Sequence, residues 1–351
     1  MPHVLVTGGT GFLGARLVRA LVLEGHHVKV LARPTSSLHA LSGIDPARIE
    51  VVRGDVTIGH TVYRALAGCD RLFHVAAEFK IWDRQPAKIL DASIVGTRET
   101  LEAARGRGID KIVVTSSTAA VGATQDASSM DEASPFNRDT SAPYILAKWK
   151  AEQIALAMAR DLAMPIVVVN PATIMGPGDY KPTPSGDLLL TYLRWNLPFG
   201  VPCSAGGISI VDVDDVVKGH LLAMEKGRVG ERYILGGDNV TIEQFFPTLS
   251  EITGLRGPGF KSPRALAMLA GAAGEAWSRI TGKVPQLTYK LARDYVGSFV
   301  WVSSQKAKAE LGYSHRPVRA TLARAVLFFL ENGYISEKRS NQIRFDLKAL
   351  A

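Results

Sequence analysis

An α/β fold built on a doubly wound parallel sheet, with a smaller interleaved α+β domain beside it, is what this sequence of 351 residues predicts. Three observations carry that expectation. Short β-branched runs alternate with helical periodicity through the first half. A glycine-rich turn joins the first run to the first helix. After Asn170 the texture changes to a glycine- and proline-rich stretch, and regular segments resume only later.

In chain order the first half reads VLVT, a helix from Phe12 to Glu24, VKVLA, IEVVRG, a short helix near Tyr63, RLFHVAA, a helix across Ile89 to Ala104, KIVVTSS, a helix from Tyr144, and IVVVN. Strands that are apolar throughout, rather than alternating, are buried on both faces, as in parallel sheets covered by helices. The stretch PATIMGPGDYKPTPSG then breaks regular structure, and a boundary belongs near residue 175. ISIVDVDDVVKGHLLAMEKG and ERYILGG look like strand, helix and strand returning to the sheet. Residues 1–175, with returning segments about 208–238, are thus expected to form the dinucleotide-binding domain. Residues 176–207 and 239–351 are expected to form mainly the substrate domain.

Composition excludes several classes. Lysines and arginines exceed acids to give a net charge of +8, yet they are scattered, with no basic run or stacking-aromatic motif for nucleic acid. Acidic small molecules are the better partners. Two cysteines, Cys69 and Cys203, are too few for a disulfide framework and lack the spacing of a metal site, which points to a reducing compartment and no bound metal. The N-terminus runs straight into a strand, without a signal peptide, so the cytoplasm is the expected location. The longest apolar stretch, Ala265 to Ala273, is well short of the ~20 residues of a membrane span. It reads as a core helix of the second domain, with peripheral membrane contact the weaker alternative. A homodimer is left open.

Gly8, Gly11 and Gly14 lie between the first strand and first helix in TGGTGFLG. The first permits a tight turn, the second lets the backbone approach a pyrophosphate, and the third lets helix and strand pack closely, with phosphate at the helix N-terminus. Thr10, Phe12 and Leu13 belong to the same cradle. The second strand, in VKVLARPTSS, ends without the acidic residue that would bind an adenosine ribose hydroxyl. Arg33 and the hydroxyls of Thr35, Ser36 and Ser37 stand there instead, so NADP(H) is preferred over NAD(H).

The strand VVTSS precedes Tyr144-Ile-Leu-Ala-Lys148 at a helix start. Spacing of four residues puts phenol and ammonium on one helical face, and a nearby ammonium favours a phenolate that would otherwise form near pH ~10. Asp214 and Asp215 are expected to cap a helix beginning at Val216.

TGGTGFLG, the GDV at Gly54 to Val56, HVAA, VVTSS, YxxxK and NPATIMGP, in this order, resemble the extended short-chain dehydrogenase/reductases of the NAD-dependent epimerase/dehydratase type. The likeness covers nearly the whole chain. It implies a Rossmann fold, with Asp55 and Val56 at adenine, and Ala76 and Ala77 along the ribose and nicotinamide. Ser117 would be the catalytic serine beside Tyr144 and Lys148, with Ser116 the alternative, and Lys148 would also bind the nicotinamide ribose. Asn170, Pro171 and Thr173 would line the nicotinamide end. Ser93 departs from the pattern, replacing an asparagine in ASIVGT. VLARPTS, HVAAEFKIWDR and KAELGY are most similar to bacterial hopanoid-associated sugar epimerases and to dihydroflavonol 4-reductases.

The reductase reading, hydride exchange at a ketone or secondary alcohol with exchangeable NADP(H), is the one carried forward. A sugar epimerase holding NAD(P) tightly is one alternative, for which Lys181, Arg194 and Arg256 are candidate diphosphate contacts. A weakly catalytic NADP(H) sensor is another. Phe79 and Trp82, with the loop from Gly176 to Gly186, would bound the substrate pocket.

Overall fold

Each apolar run of the first half becomes a strand whose alternate side chains enter opposite cores. The computed structural model describes residues 3–76, 86–138, 143–194, 201–203, 205–261, 263–281 and 288–350. Strands β1 (His3–Thr7), β2 (His27–Ala32), β3 (Ile49–Arg53), β4 (Arg71–His74), β5 (Lys111–Thr115) and β6 (Ile166–Pro171) alternate with helices α1 (Phe12–Leu23), α2 (Gly59–Ala65), α3 (Pro86–Arg107) and α4 (Pro143–Asp161). Then follow β7 (Thr173–Met175), α5 (Pro184–Arg194), β8 (Val201–Cys203), β9 (Gly207–Asp212), α6 (Val213–Lys226), β10 (Arg232–Leu235) and β11 (Asp238–Thr241). The remainder comprises α7 (Ile242–Thr253), β12 (Pro258–Lys261), α8 (Arg264–Thr281), α9 (Tyr289–Tyr295), β13 (Phe299–Val300), α10 (Gln305–Leu311), α11 (Val318–Glu331) and α12 (Glu337–Ser340).

Seven parallel strands form the main sheet in the order β10-β6-β5-β4-β1-β2-β3. Val4, Val6, Val113, Val167 and Val169 face one core with α1 and α6, while Leu5, Ile112, Val114, Ile166 and Val168 face the other with α2, α3 and α4. Period-two alternation of an all-apolar strand therefore feeds both layers at once. The Rossmann architecture expected from the sequence is present. Strand order reverses between β1 and β4, which places a ligand crevice at the C-terminal strand ends there.

At Ala172 the chain leaves the main sheet. β7 pairs with β9, which also pairs with β11 and β13, and a separate core gathers α5, α7 and α11. Threonine and glutamine at the start of α7 form a reciprocal cap, Thr241 accepting from the Gln244 amide and Gln244 accepting from that of Thr241. β10 then adds to the main sheet beside β6.

Two expectations are corrected. Helix α6 starts at Val213, not Val216, and its cap is Asp212, which accepts from the Asp214 amide. Several carboxylates in DVDD suit a cap, and the one that ends β9 takes it. Asp214 and Asp215 instead meet arginines: Arg16 donates to Asp214 at 2.6 and 2.9 Å, Arg324 also donates to Asp214, and Arg316 holds Asp215 at 2.8 Å. The stretch from Ala265 to Ala273 is helical but not a core helix, since Leu266 is 51% and Leu269 67% exposed.

Candidate active site

Steric fit fixes the first turn. Gly8 has φ of +73°, and a Cβ on it would lie 2.7 Å from the backbone nitrogen of Ala76. A Cβ on Gly14 would lie 2.1 Å from the Gly8 carbonyl oxygen. Only hydrogen fits at either place, so α1 begins hard against the ends of β1 and β4. The Gly11 amide donates to the Gly8 carbonyl at 3.0 Å, and Gly11, as cap, brings no side-chain acceptor to the first amides of α1. Thr10, Phe12 and Leu13 thus present backbone donors and a positive helix end, which suits a pyrophosphate.

Arg33 follows β2 and is exposed, and the Ser36 amide donates to its carbonyl at 3.0 Å to close a turn. The parallel register sets Arg53, the last residue of β3, opposite Ala32. Arg53 donates to the Arg33 carbonyl at 2.9 Å, so its guanidinium stands beside the Arg33 backbone. Asp55 folds the next turn by accepting from the Thr57 amide and hydroxyl at 2.9 and 2.8 Å, with Val56 between them.

β4 supplies Ala76 beside a buried polar chain. The Ala76 amide donates to Thr7 Oγ1 at 3.3 Å, that hydroxyl meets His74 Nδ1 at 2.9 Å, and His74 Nε2 meets Thr97 at 3.3 Å. Complete burial, with the neighbouring Lys148 acting in the same direction, pushes His74 down to about 3, so the imidazole is neutral. Ala77, Phe79 and Trp82 lie outside the described residues.

Around Lys148 the site closes. Tyr144 and Lys148 lie one turn apart on α4, Tyr144 half-buried and Lys148 only 8% exposed. Lys148 Nζ donates to the Thr115 carbonyl at the end of β5, at 3.3 Å, and the Thr115 hydroxyl is bonded to buried His220 at 2.9 Å. Burial pushes Lys148 down to about 8, and Glu152, one turn further along, opposes that shift. Glu152 accepts from Asn170 Nδ2 at 2.5 Å and from Arg232 at 2.8 Å, and the same Asn170 nitrogen donates to the Ser117 carbonyl at 3.1 Å. Ser117 Oγ accepts from the Ala119 amide at 3.1 Å, which leaves its own O–H to donate. Ser116 Oγ is buried without a protein partner and lines a cavity of about 20 Å³ together with His74, Ser93, Thr97, Lys148 and Glu152. That space holds about one water, and Ser93, shorter than asparagine, is part of its wall.

Pro171 ends β6 buried, and Thr173 opens β7 half-buried, at the same edge of the sheet. From there the loop returns over α1, since a Cβ on Gly178 would lie 3.3 Å from Arg16 Cδ. Tyr180 packs edge-on against His39, 4.8 Å between centroids, reaching the segment after Arg33. Arg194 is spent on the Tyr334 carbonyl at 3.1 Å. Lys181 and Arg256 are exposed. Sequence reasoning missed Glu152 and Arg53. An acid four residues beyond the lysine was a readable signal, whereas Arg53 required the strand register.

The glycine turn, Arg33, Ala76, Ser117 and Pro171 all stand at the C-terminal ends of parallel strands, β1, β2, β4, β5 and β6. Sheet order, glycine turn and crevice define a nicotinamide-dinucleotide-dependent enzyme of the extended short-chain dehydrogenase/reductase type. Residues 4–236 match the NAD dependent epimerase/dehydratase family, and the chain belongs to it. Over 336 residues it is 36% identical to a Synechocystis sp. protein carrying the provisional name dihydroflavonol 4-reductase, covering 94% of this chain and 95% of that one. It is 35% identical to sterol demethylase protein B of Methylococcus capsulatus, covering 94% and 99%. The crystal structure of gox2253 superimposes with a TM-score of 0.84 at 36% identity, covering 96% of this chain and 100% of that one.

Proposed function

We propose that this enzyme is an NADP(H)-dependent oxidoreductase, similar to dihydroflavonol reductases, that interconverts a ketone and a secondary alcohol on a small molecule. The observation that carries the reading is Lys148, buried, fixed at the Thr115 carbonyl and one turn from Tyr144, at the strand end that bears Ser117. When bound, the nicotinamide supplies or accepts the hydride. Tyr144 exchanges the proton with the substrate oxygen, Lys148 favours its phenolate, and the free Ser117 O–H donates to that oxygen. Residues 176–207 and 239–351 enclose the substrate, with Phe79 and Trp82 at the rim.

For the cofactor, Gly8, Gly11 and Gly14 cradle the pyrophosphate, and Asp55 and Val56 meet adenine. Ala76, Ala77, Ser116, Pro171 and Thr173 flank the nicotinamide end. Arg33 and Arg53 receive the 2′-phosphate. One test addresses the role of Tyr144, and a second separates this reading from an epimerase that retains NAD. Tyr144→Phe is expected to lower kcat by about 10²–10⁴-fold with NADPH affinity unchanged; intact turnover would remove Tyr144 from the chemistry. Purification without added cofactor should yield protein free of nucleotide that binds NADPH more tightly than NADH. Stoichiometric retained NAD, or equal affinities, would favour epimerisation instead.

A further inference from the structure

Helix α8 is built inside out. At about 100° per residue, Leu266, Leu269, Ala273, Ala276, Trp277 and Ile280 fall in one arc, and that arc faces solvent: Leu266 is 51%, Leu269 67%, Trp277 62% and Ile280 80% exposed. The face turned to the protein is small and polar, Gly271 and Ser278 being its buried residues. Gly271 packs on the start of α9, where a Cβ would lie 2.7 Å from the Thr288 carbonyl. Glu275, the sole acid of the helix, accepts from the Tyr289 amide at 2.9 Å. Exposed Arg279 flanks the apolar arc, about 60° from its edge, whereas Arg264 lies on the inner side and donates to the Arg293 carbonyl at 2.6 Å.

From these features we propose that the outer face of α8 docks on an anionic lipid bilayer. A bilayer matches every part of the pattern: aliphatic side chains and Trp277 for the acyl boundary, a cationic flank for the headgroups, and no acid in the arc. The chain's net charge of +8 has the same sign as that flank. A second protein fits less well. One helix of 18 residues offers a strip about 27 Å long and about 10 Å wide, well short of the ~800 Å² per partner of a stable interface.

The docked face is fastened to the active-site rim. α9 leads to β13, where Phe299 and Thr124 exchange backbone hydrogen bonds at 2.9 Å, shortly after Ser117. Arg138, ahead of α4, donates to the Asp294 carbonyl of α9 at 2.6 Å. The layer beneath α8 is therefore tied to the segments that carry Ser117 and Tyr144.

The test is flotation of the full-length protein with vesicles of phosphatidylcholine alone or containing phosphatidylglycerol. Flotation is expected with the anionic vesicles, weakened at high salt, and reduced at least about tenfold in Leu269→Glu/Ile280→Glu. Both positions are exposed, so the double variant should keep its melting temperature and NADPH affinity, which isolates docking from the catalytic reading. Absence of flotation, or equal flotation of the variant, would overturn the proposal. So would a dimer of the parent protein in sedimentation that the variant abolishes, since a second copy would then cover this face.

Discussion

Glu152 ties together α4, β6 and β10, binding Asn170 and Arg232 with no side-chain exposure of its own. Glu152→Ala leaves a guanidinium and an amide short of an acceptor at the base of the site. Arg232 keeps some solvent and the Glu132 carbonyl, so the loss should fall near the low end of the range for a broken buried pair, about 3 kcal/mol, read by urea unfolding. Lys148 predicts a pH profile. Its pKa is pushed from 10.5 to about 8, so the ammonium that favours the phenolate is lost as pH rises through about 8. For carbonyl reduction, kcat/KM, which reports the free enzyme, should decline above that pH. Stability should run the other way, increasing between about 8 and 10.5, because there the unfolded chain binds the extra proton. Arg33→Ala/Arg53→Ala should weaken NADPH binding by about 10- to 100-fold, the worth of a charged hydrogen bond or two, with NADH binding unchanged in the same fluorescence titration.

Among the elements, the junction of β1 and α1 has the least steric freedom. Gly14→Ala would force a Cβ onto the Gly8 carbonyl, 2.1 Å away, and overpacking of this kind costs about 1–3 kcal/mol. A lower melting temperature together with lost cofactor binding is the expected outcome, and undiminished NADPH affinity would show that the cradle tolerates a shifted helix. This junction was legible because its glycines and its helix are neighbours in sequence. Arg53 was not, because its place beside Arg33 arises from strand register across the sheet. The start of α6 was misplaced for a different reason: Asp212, Asp214 and Asp215 are chemically equivalent as caps, and only the end of β9 chooses among them. The apolar run in α8 was read as core because periodicity shows that a helix has an apolar face without showing what covers it.

On the scale of the whole molecule, the two cores are joined by charge and by chain. Asp214 on α6 binds Arg16 of α1 and Arg324 of α11, and buried Asp212 stands at 3.0 Å from Arg324. Links of this sort depend on residues distant in sequence, and no spacing rule announces them. The return of β10 to the main sheet was readable from ERYILGG, whose strand character reappears after the glycine- and proline-rich break. That strand, β10, covers β6 along Val168 to Pro171.

Synthesis on the ribosome meets this arrangement in an awkward order. When residue 175 emerges, β6 is a bare apolar edge, and its neighbour is still some sixty residues away in the message. An N-terminal fragment ending there should aggregate when expressed alone, and co-expression with residues 176–351 should restore soluble material only if β10 can add in trans. The nascent enzyme thus passes through an interval in which IVVVN needs a chaperone or a fast downstream chain, and slow translation across residues 176–235 should lower its yield.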